Sequence, residues 1–263
     1  MDISRVTACT YPLRERPVEE AFDVIAAAGY TRVDLLGRMP HLSLDPAECK
    51  PSAVMAAAAA RGLRIANLGT YVGRAFGSDD PAAQEAELGQ ARRAIDLAAL
   101  LGARSIRVMA GDDDPSNLDR IAAGFRRAAE HAAARGIYMG FETHGGRING
   151  SPEQARALCS LVGSPYFGVL YDPCNLAHAG TDYRAALATF GEHVVHVHFK
   201  DGRRTQGGFE PTMLGEGEID FVWTAAELDR LGYRGDFALE YELPAPEPEV
   251  GLPRWLAAWR ALT

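Results

Sequence analysis

The stretch Arg135-Gly136-Ile137-Tyr138-Met139-Gly140-Phe141-Glu142-Thr143-His144 carries the reading of the fold. The Ala-rich sequence before it predicts a helix over 116–135. Gly136 then turns the chain into a short strand, 138–143, that ends in polar residues. A glycine at such a joint suits a left-handed helix C-cap. The same helix–glycine–strand join recurs at Ala28-Gly29-Tyr30, Arg61-Gly62-Leu63, Leu101-Gly102-Ala103 and Leu231-Gly232-Tyr233. It behaves as an internal repeat.

Working outward from that unit, strands are expected near 6–9, 32–35, 63–68, 105–109, 138–143, 167–171, 194–198 and 237–241. Helices are expected near 18–28, 46–61, 81–101, 116–135, 152–162, 183–190, 221–231 and 249–262. Strict alternation implies parallel strands joined by crossover helices. Asp45-Pro46-Ala47-Glu48 and Ser151-Pro152-Glu153-Gln154 read as helix starts, each with a capping side chain and a proline in the first turn. Eight such units in 263 residues fit an α/β fold of one (β/α)8 barrel spanning 1–263. A doubly wound open sheet is the alternative, and no G-x-G-x-x-G follows a strand to support it.

Composition narrows the function. Hydrophobic residues make up 47% of the chain, enough for a large core, and the net charge of −8 disfavours a broad nucleic-acid-binding face. Cys9, Cys49, Cys159 and Cys174 form no C-x-x-C pair and read as reduced thiols of a cytoplasmic protein. The N-terminus has no signal-peptide pattern, and the apolar run 54–60 is too short to span a bilayer. The expected partner is a small molecule rather than nucleic acid or membrane. Trp255 and Trp259 on the last helix fit packing against the barrel, with a homo-oligomer contact as the alternative.

In a barrel of this type the chemistry sits at the C-terminal ends of the strands. Four successive strands end in Glu142, Asp172, His198 and Glu240. Alternation along a strand turns Glu142 and Glu240 inward, opposite to Phe141, Leu239 and Tyr241. Inward carboxylates need a counter-charge, and one divalent cation supplies it. Three carboxylates and an imidazole suit Mn2+, with Mg2+ or Co2+ as alternatives, better than a thiolate-rich zinc site. His196 sits one layer deeper and reads as structural, and Glu242 at the loop edge rivals Glu240. Asp112-Asp113-Asp114 resembles a second metal site, but Pro115 follows, so a helix cap in a solvated loop is the reading taken.

The run His196-Val197-His198-Phe199-Lys200-Asp201, followed by Leu214-Gly215-Glu216-Gly217-Glu218-Ile219-Asp220-Phe221, resembles the xylose-isomerase-like TIM barrel superfamily of sugar isomerases and epimerases. Phe141-Glu142-Thr143-His144, Tyr171-Asp172-Pro173-Cys174-Asn175 and Leu239-Glu240-Tyr241-Glu242 fit its other strand ends. The resemblance implies metal ligation by Glu142, Asp172, His198 and Glu240, and proton transfer by Glu142 and Glu240 next to a substrate carbonyl, through an enediolate. Ketose 3-epimerases carry a histidine three residues after the aspartate; here that position is Asn175. The substrate-binding arginine falls on Arg203 or Arg204. His144, Asn175 and Lys200 complete the candidate substrate contacts, with pairing to Asp201 as the alternative role of Lys200. A dehydratase of inosose or 3-dehydroshikimate type would use the same first step. An endonuclease IV-like nuclease would need a His-rich three-metal cluster, and a non-catalytic sugar-binding module would keep the fold without turnover.

Overall fold

The five helix–glycine–strand joins form as left-handed turns: Gly29, Gly62, Gly102, Gly136 and Gly232 all have φ between +68° and +91°. They connect the elements of a computed structural model that describes residues 3–262. Strands β1 (Val6–Cys9), β2 (Arg32–Leu36), β3 (Arg64–Gly69), β4 (Ser105–Val108), β5 (Tyr138–Glu142), β6 (Phe167–Tyr171) and β7 (Val194–Phe199) pair in parallel. The strands β8 (Asp201–Thr205) and β9 (Gly208–Thr212) then form an antiparallel hairpin outside the sheet. Finally β10 (Phe237–Leu239) inserts between β7 and β1 and closes the barrel.

Helices surround it: α1 (Val18–Ala27), α2 (Pro51–Ala60), α3 (Pro81–Leu101), α4 (Leu118–Arg135), α5 (Pro152–Val162), α6 (Pro173–His178), α7 (Tyr183–Phe190), α8 (Phe221–Arg230) and α9 (Pro248–Leu262). Aromatic side chains fill the layer between strands and helices. Phe125 packs on Phe76 and Phe167, with ring centroids at 4.9 and 4.5 Å, and Trp259 packs on Phe199 and Phe237 at 5.4 and 5.5 Å. Trp255 and Trp259 are both buried within the chain, so packing is what they do here.

Three regions differ from the sequence reading. The second helix begins at Pro51 rather than at Pro46. Proline has no N–H, so a helix running through it would leave the carbonyl of Ala47 without its donor. Instead Asp45 closes a turn by accepting the Ala47 N–H at 2.8 Å, and Glu48 accepts from Ser43 at 2.6 Å. Residues 201–212 carry no strand pattern in the sequence, yet they form the β8–β9 hairpin. Its base is fastened by Asp201, which accepts N–H bonds from Gly202, Gly215, Gly217 and Ile219 at 2.9, 2.8, 2.9 and 3.3 Å. A Cβ at Gly217 would sit 2.1 Å from that carboxylate, so only glycine fits. The short helix α6, also unassigned, is capped by Asp172, whose side chain accepts from the Asn175 N–H.

No helix among the described residues is long and apolar enough to cross a membrane, and all four cysteines are free.

The interior tolerates little added volume where β6 meets β7. A Cβ at Gly168 would lie 2.0 Å from the His193 carbonyl oxygen, whereas one at Gly89 in α3 meets nothing within 4 Å. Gly168→Ala is therefore expected to lower the unfolding free energy by roughly 1–3 kcal/mol. Gly89→Ala should raise it by about 0.5–1 kcal/mol, through the better helix propensity of alanine. Urea denaturation followed by circular dichroism measures both, and equal effects would contradict the packing described.

Candidate metal centre and active site

The parallel register brings the ends of β5, β6, β7 and β10 together at one rim. One ligand-type atom from each of Glu142, Asp172, His198 and Glu240 lies within 4.8 Å of every other. Asp172, His198 and Glu240 are buried and Glu142 is half-buried. His198 Nδ1 stands 3.1 Å from Glu142 Oε1 and 3.4 Å from Glu240 Oε2. Asp172 gives one oxygen to the α6 cap, while Oδ2 is buried without a hydrogen bond. Lys200 Nζ lies 3.4 Å from that oxygen, an ion-pair distance without hydrogen-bond geometry. A desolvated carboxylate oxygen with no donor, set among two further carboxylates and an imidazole, is the donor chemistry that a hard divalent cation satisfies. The residues present fit such an ion.

Beneath the cluster lies a second layer. His198 Nε2 is 3.1 Å from Asp34 Oδ2, and His196 Nε2 is 2.8 Å from the same oxygen. Asn67 Nδ2 donates to both Asp34 oxygens at 2.9 and 3.0 Å, and is itself held through Oδ1 by Ser105 Oγ at 2.7 Å. Because an ionised carboxylate only accepts, each histidine donates through Nε2, which leaves the Nδ1 of His198 facing the carboxylate ring. Burial pushes the Asp34 carboxyl up, but the bonds from His196 and His198 outweigh it and hold the group well below the usual carboxylate range. Cys9, Asp34 and His198 also come within 4.8 Å of one another, sharing His198 with the outer cluster.

The electrostatics of the outer ring are divided. Burial raises Glu142 and Glu240, yet both end below the ordinary glutamate range. The neighbouring charge of His198 is the main cause for Glu142, and those of Lys200 and then His198 for Glu240. Asp172 goes the other way: burial, helped by the charges of Glu142 and Glu240, overrides Lys200 and pushes it up to about 7. Burial would lower His198, but its acidic surroundings, Glu240 foremost, raise it well above the usual imidazole value.

The other residues singled out by sequence occupy distinct places. Lys200 does not pair with Asp201; it donates to Glu240 and Glu242 at 2.9 and 2.7 Å. The Asp201 oxygens are already taken by main-chain N–H groups. Asn175 is buried, with Nδ2 3.1 Å from the Thr143 carbonyl and 3.4 Å from Glu142 Oε1. His144 is exposed and lines a cavity that opens beside Glu142. Arg203 is exposed on β8, while Arg204 donates to the Ala177 carbonyl at 2.5 Å; neither lines the cavities flanking the ring. His178 stacks on Phe209 with ring centroids 5.1 Å apart. Asp114 caps the turn 115–117, and Asp113 accepts from the N–H groups of Arg147, Ile148 and Asn149, so these acids brace loops.

Sequence reasoning missed two interior charges, Asp34 and Arg107. Arg107 Nη1 donates to Glu142 Oε2 at 3.1 Å. Each is a charge set between apolar neighbours within its strand, Val33-Asp34-Leu35 and Ile106-Arg107-Val108. That isolation was the available signal.

A parallel barrel with an acid-and-imidazole ring at its C-terminal rim defines the class. The chain belongs to the xylose isomerase-like TIM barrel family, which it matches over residues 22–260. It is 32% identical to a putative L-ribulose-5-phosphate 3-epimerase, SgbU, of Escherichia coli (strain K12), over 70% of this chain and 68% of that one. It is 30% identical to an inosose dehydratase of Lactiplantibacillus plantarum (strain ATCC BAA-793 / NCIMB 8826 / WCFS1), over 47% of this chain and 46% of that one. The fold is shared with a crystal structure of D-allulose 3-epimerase from Methylomonas sp., at a TM-score of 0.79 and 18% identity, covering 98% of both chains.

Metal affinity should depend on pH in a defined sense. An ion must displace protons from groups raised above their ordinary values, here Asp172 and His198, and from none of the lowered ones. The Asp172 carboxyl, pushed up to about 7, holds its proton at pH 6 and gives it up by pH 8, so Mn2+ binding is expected to release more protons at pH 6 than at pH 8, with affinity rising between them. Titration calorimetry in buffers of different ionisation enthalpy measures this. A release independent of pH would contradict the assignment.

Proposed function

We propose that the chain is a divalent-metal-dependent ketose 3-epimerase, moving a proton at the carbon beside a substrate carbonyl. The observation that carries this reading is the placement of two carboxylates, Glu142 and Glu240, on strands separated by β6 and β7, with His198 Nδ1 between them. A sugar lying over His198 is met by one carboxylate from each side. Inverting a carbon needs that arrangement: one group removes the proton from one face and the other returns a proton to the opposite face.

In this reading Glu142, Asp172, His198 and Glu240 hold the cation, with Mn2+ the first choice. The ion would supply positive charge that acidifies the carbon-bound proton and balances the charge left on the substrate oxygens. Arg107 and Lys200 each anchor one proton-transferring carboxylate, Glu142 and Glu240 respectively, so neither can swing to the other's face. Asp34 is a positioning residue that keeps the Nδ1 of His198 directed at the ring. Asn175 and His144 border the space beside Glu142 and offer hydrogen bonds to substrate hydroxyls. A dehydratase begins with the same proton abstraction and then expels a hydroxyl, and the similarity to an inosose dehydratase favours it as the second reading.

The deciding experiment is proton NMR of candidate ketoses and inososes in D2O with Mn2+-loaded protein. An epimerase places deuterium at the carbon beside the carbonyl and yields the inverted sugar. A dehydratase gives a conjugated product absorbing in the ultraviolet. Glu142→Gln and Glu240→Gln should each leave the barrel folded and lower turnover about 10²–10⁴-fold. Full activity in both variants at saturating metal would remove the two-carboxylate mechanism.

The metal assignment has its own test. Mass spectrometry after purification in Mn2+ should find about one ion per chain. His198→Ala should lose it and Cys174→Ser should keep it. In Asp34→Asn, metal affinity should fall about 10–100-fold with an unchanged circular dichroism spectrum.

A further inference from the structure

Two cavities flank the ring, and they differ in free positive charge. On the side of β6 and the hairpin, a cavity of about 190 Å³ is lined by Asn175, His178, Lys200, Phe209 and Glu242. Its one ammonium is already shared between Glu240 and Glu242. On the side of β3, β4 and β5, a cavity of about 350 Å³ opens from Glu142 and is lined by Tyr71, Arg74, Arg107 and His144.

Arg107 projects inward from β4. Its Nη1 donates to Glu142, its Nε to the Thr70 carbonyl at 3.3 Å, and its guanidinium lies 4.5 Å from the centre of the Tyr71 ring. Its Nη2 is buried and has no hydrogen-bond partner. A desolvated charged donor without an acceptor is costly, and calls for an acceptor from outside the chain. Arg107 also lines the small cleft over His198 and Glu240, so it stands between the ring and the larger cavity. Arg74, on the exposed wall of that cavity, makes no ion pair or side-chain hydrogen bond among the described residues.

The acids on the same wall do not compete for these guanidinium groups. Asp113 is taken up by three main-chain N–H groups, and Asp112 by Asn117 Nδ2 at 2.7 Å and the Asp114 N–H at 3.3 Å. One guanidinium with a free buried edge and a second without a partner, in a cavity continuous with the reacting end, match an anion carrying several acceptor oxygens.

We propose that this cavity is the subsite for a terminal phosphate of the sugar, held by Arg74 and Arg107, so that the substrate class is a ketose phosphate rather than a free ketose. The proposal rests on the epimerase reading above. The reacting carbon lies between Glu142 and Glu240, and the chain of the sugar runs past Arg107 toward Arg74.

The test compares L-ribulose 5-phosphate with L-ribulose on the full chain loaded with Mn2+, by deuterium exchange for turnover and titration calorimetry for binding. The phosphate ester should be preferred in kcat/KM and in affinity by at least about tenfold. Arg74→Ala, at an exposed position, should cut that preference about 10–100-fold, mainly through KM. Arg107→Lys, which keeps the charge but loses the free Nη2 edge, should also reduce it. If both sugars exchange equally, or the preference survives both substitutions, the subsite is wrong while the epimerase reading stands. If the ester binds more tightly and this depends on Arg74, yet neither sugar exchanges a proton, the subsite stands and the epimerase reading falls. If neither sugar binds or exchanges, both fall.

Discussion

Buried like charge is the constraint on which the site depends. Glu142, Asp172 and Glu240 converge at the mouth of the barrel, with Asp34 directly below, in an interior where isolated carboxylates are strongly disfavoured. Each is held by a specific partner. Arg107 takes one oxygen of Glu142, Lys200 bridges Glu240 and Glu242, and His198 spans the two layers through its two ring nitrogens. Asp172 is the least compensated, and its raised pKa records this. The parallel register keeps these groups apart along the rim, because each comes from a different strand.

The partition between the layers follows from the pleat. His196 and His198 face the same side of β7, so one reaches Asp34 from below and the other meets both Asp34 and the ring. Asn67 and Ser105, on the next two strands, extend the bonding of Asp34 around the barrel. The orientation of one imidazole is thereby fixed by groups on β2, β3 and β4, across the barrel from the strand that bears it.

Much of this was legible in the chain, and the exceptions have physical causes. The outer ring could be read because Glu142, Asp172, His198 and Glu240 fall at strand ends, where an apolar run gives way to a polar loop. Asp34 and Arg107 lie inside their strands, and their meaning appears only when distant strands supply His196 and Glu142 as partners. Asp45-Pro46-Ala47-Glu48 has the residues of a capped helix start, but Pro51 stops a helix begun there from running on unbroken, and the helix starts at Pro51 instead. The hairpin at 201–212 was hidden because Gly202, Gly207 and Gly208 resemble an ordinary loop; its closure depends on Asp201 meeting residues 14 to 18 positions further on. The resemblance put the substrate-binding arginine on Arg203 or Arg204, but Arg107 reaches Glu142, and Arg203 and Arg204 do not line the cavities beside it.

The clasp at Asp201 also bears on how such a barrel can diversify. One carboxylate gathers both ends of the excursion between β7 and α8, and beyond that clasp the hairpin touches the barrel through α6, where Arg204 meets the Ala177 carbonyl and Phe209 stacks on His178. Residues at the hairpin tip, around Gly207 and Gly208, can be exchanged, lengthened or removed without altering the strand register that sets His198 and Glu240. The excursion is a natural insertion point. New binding surface can be tried at the rim by mutation or by grafting, while the groups in the interior keep their places.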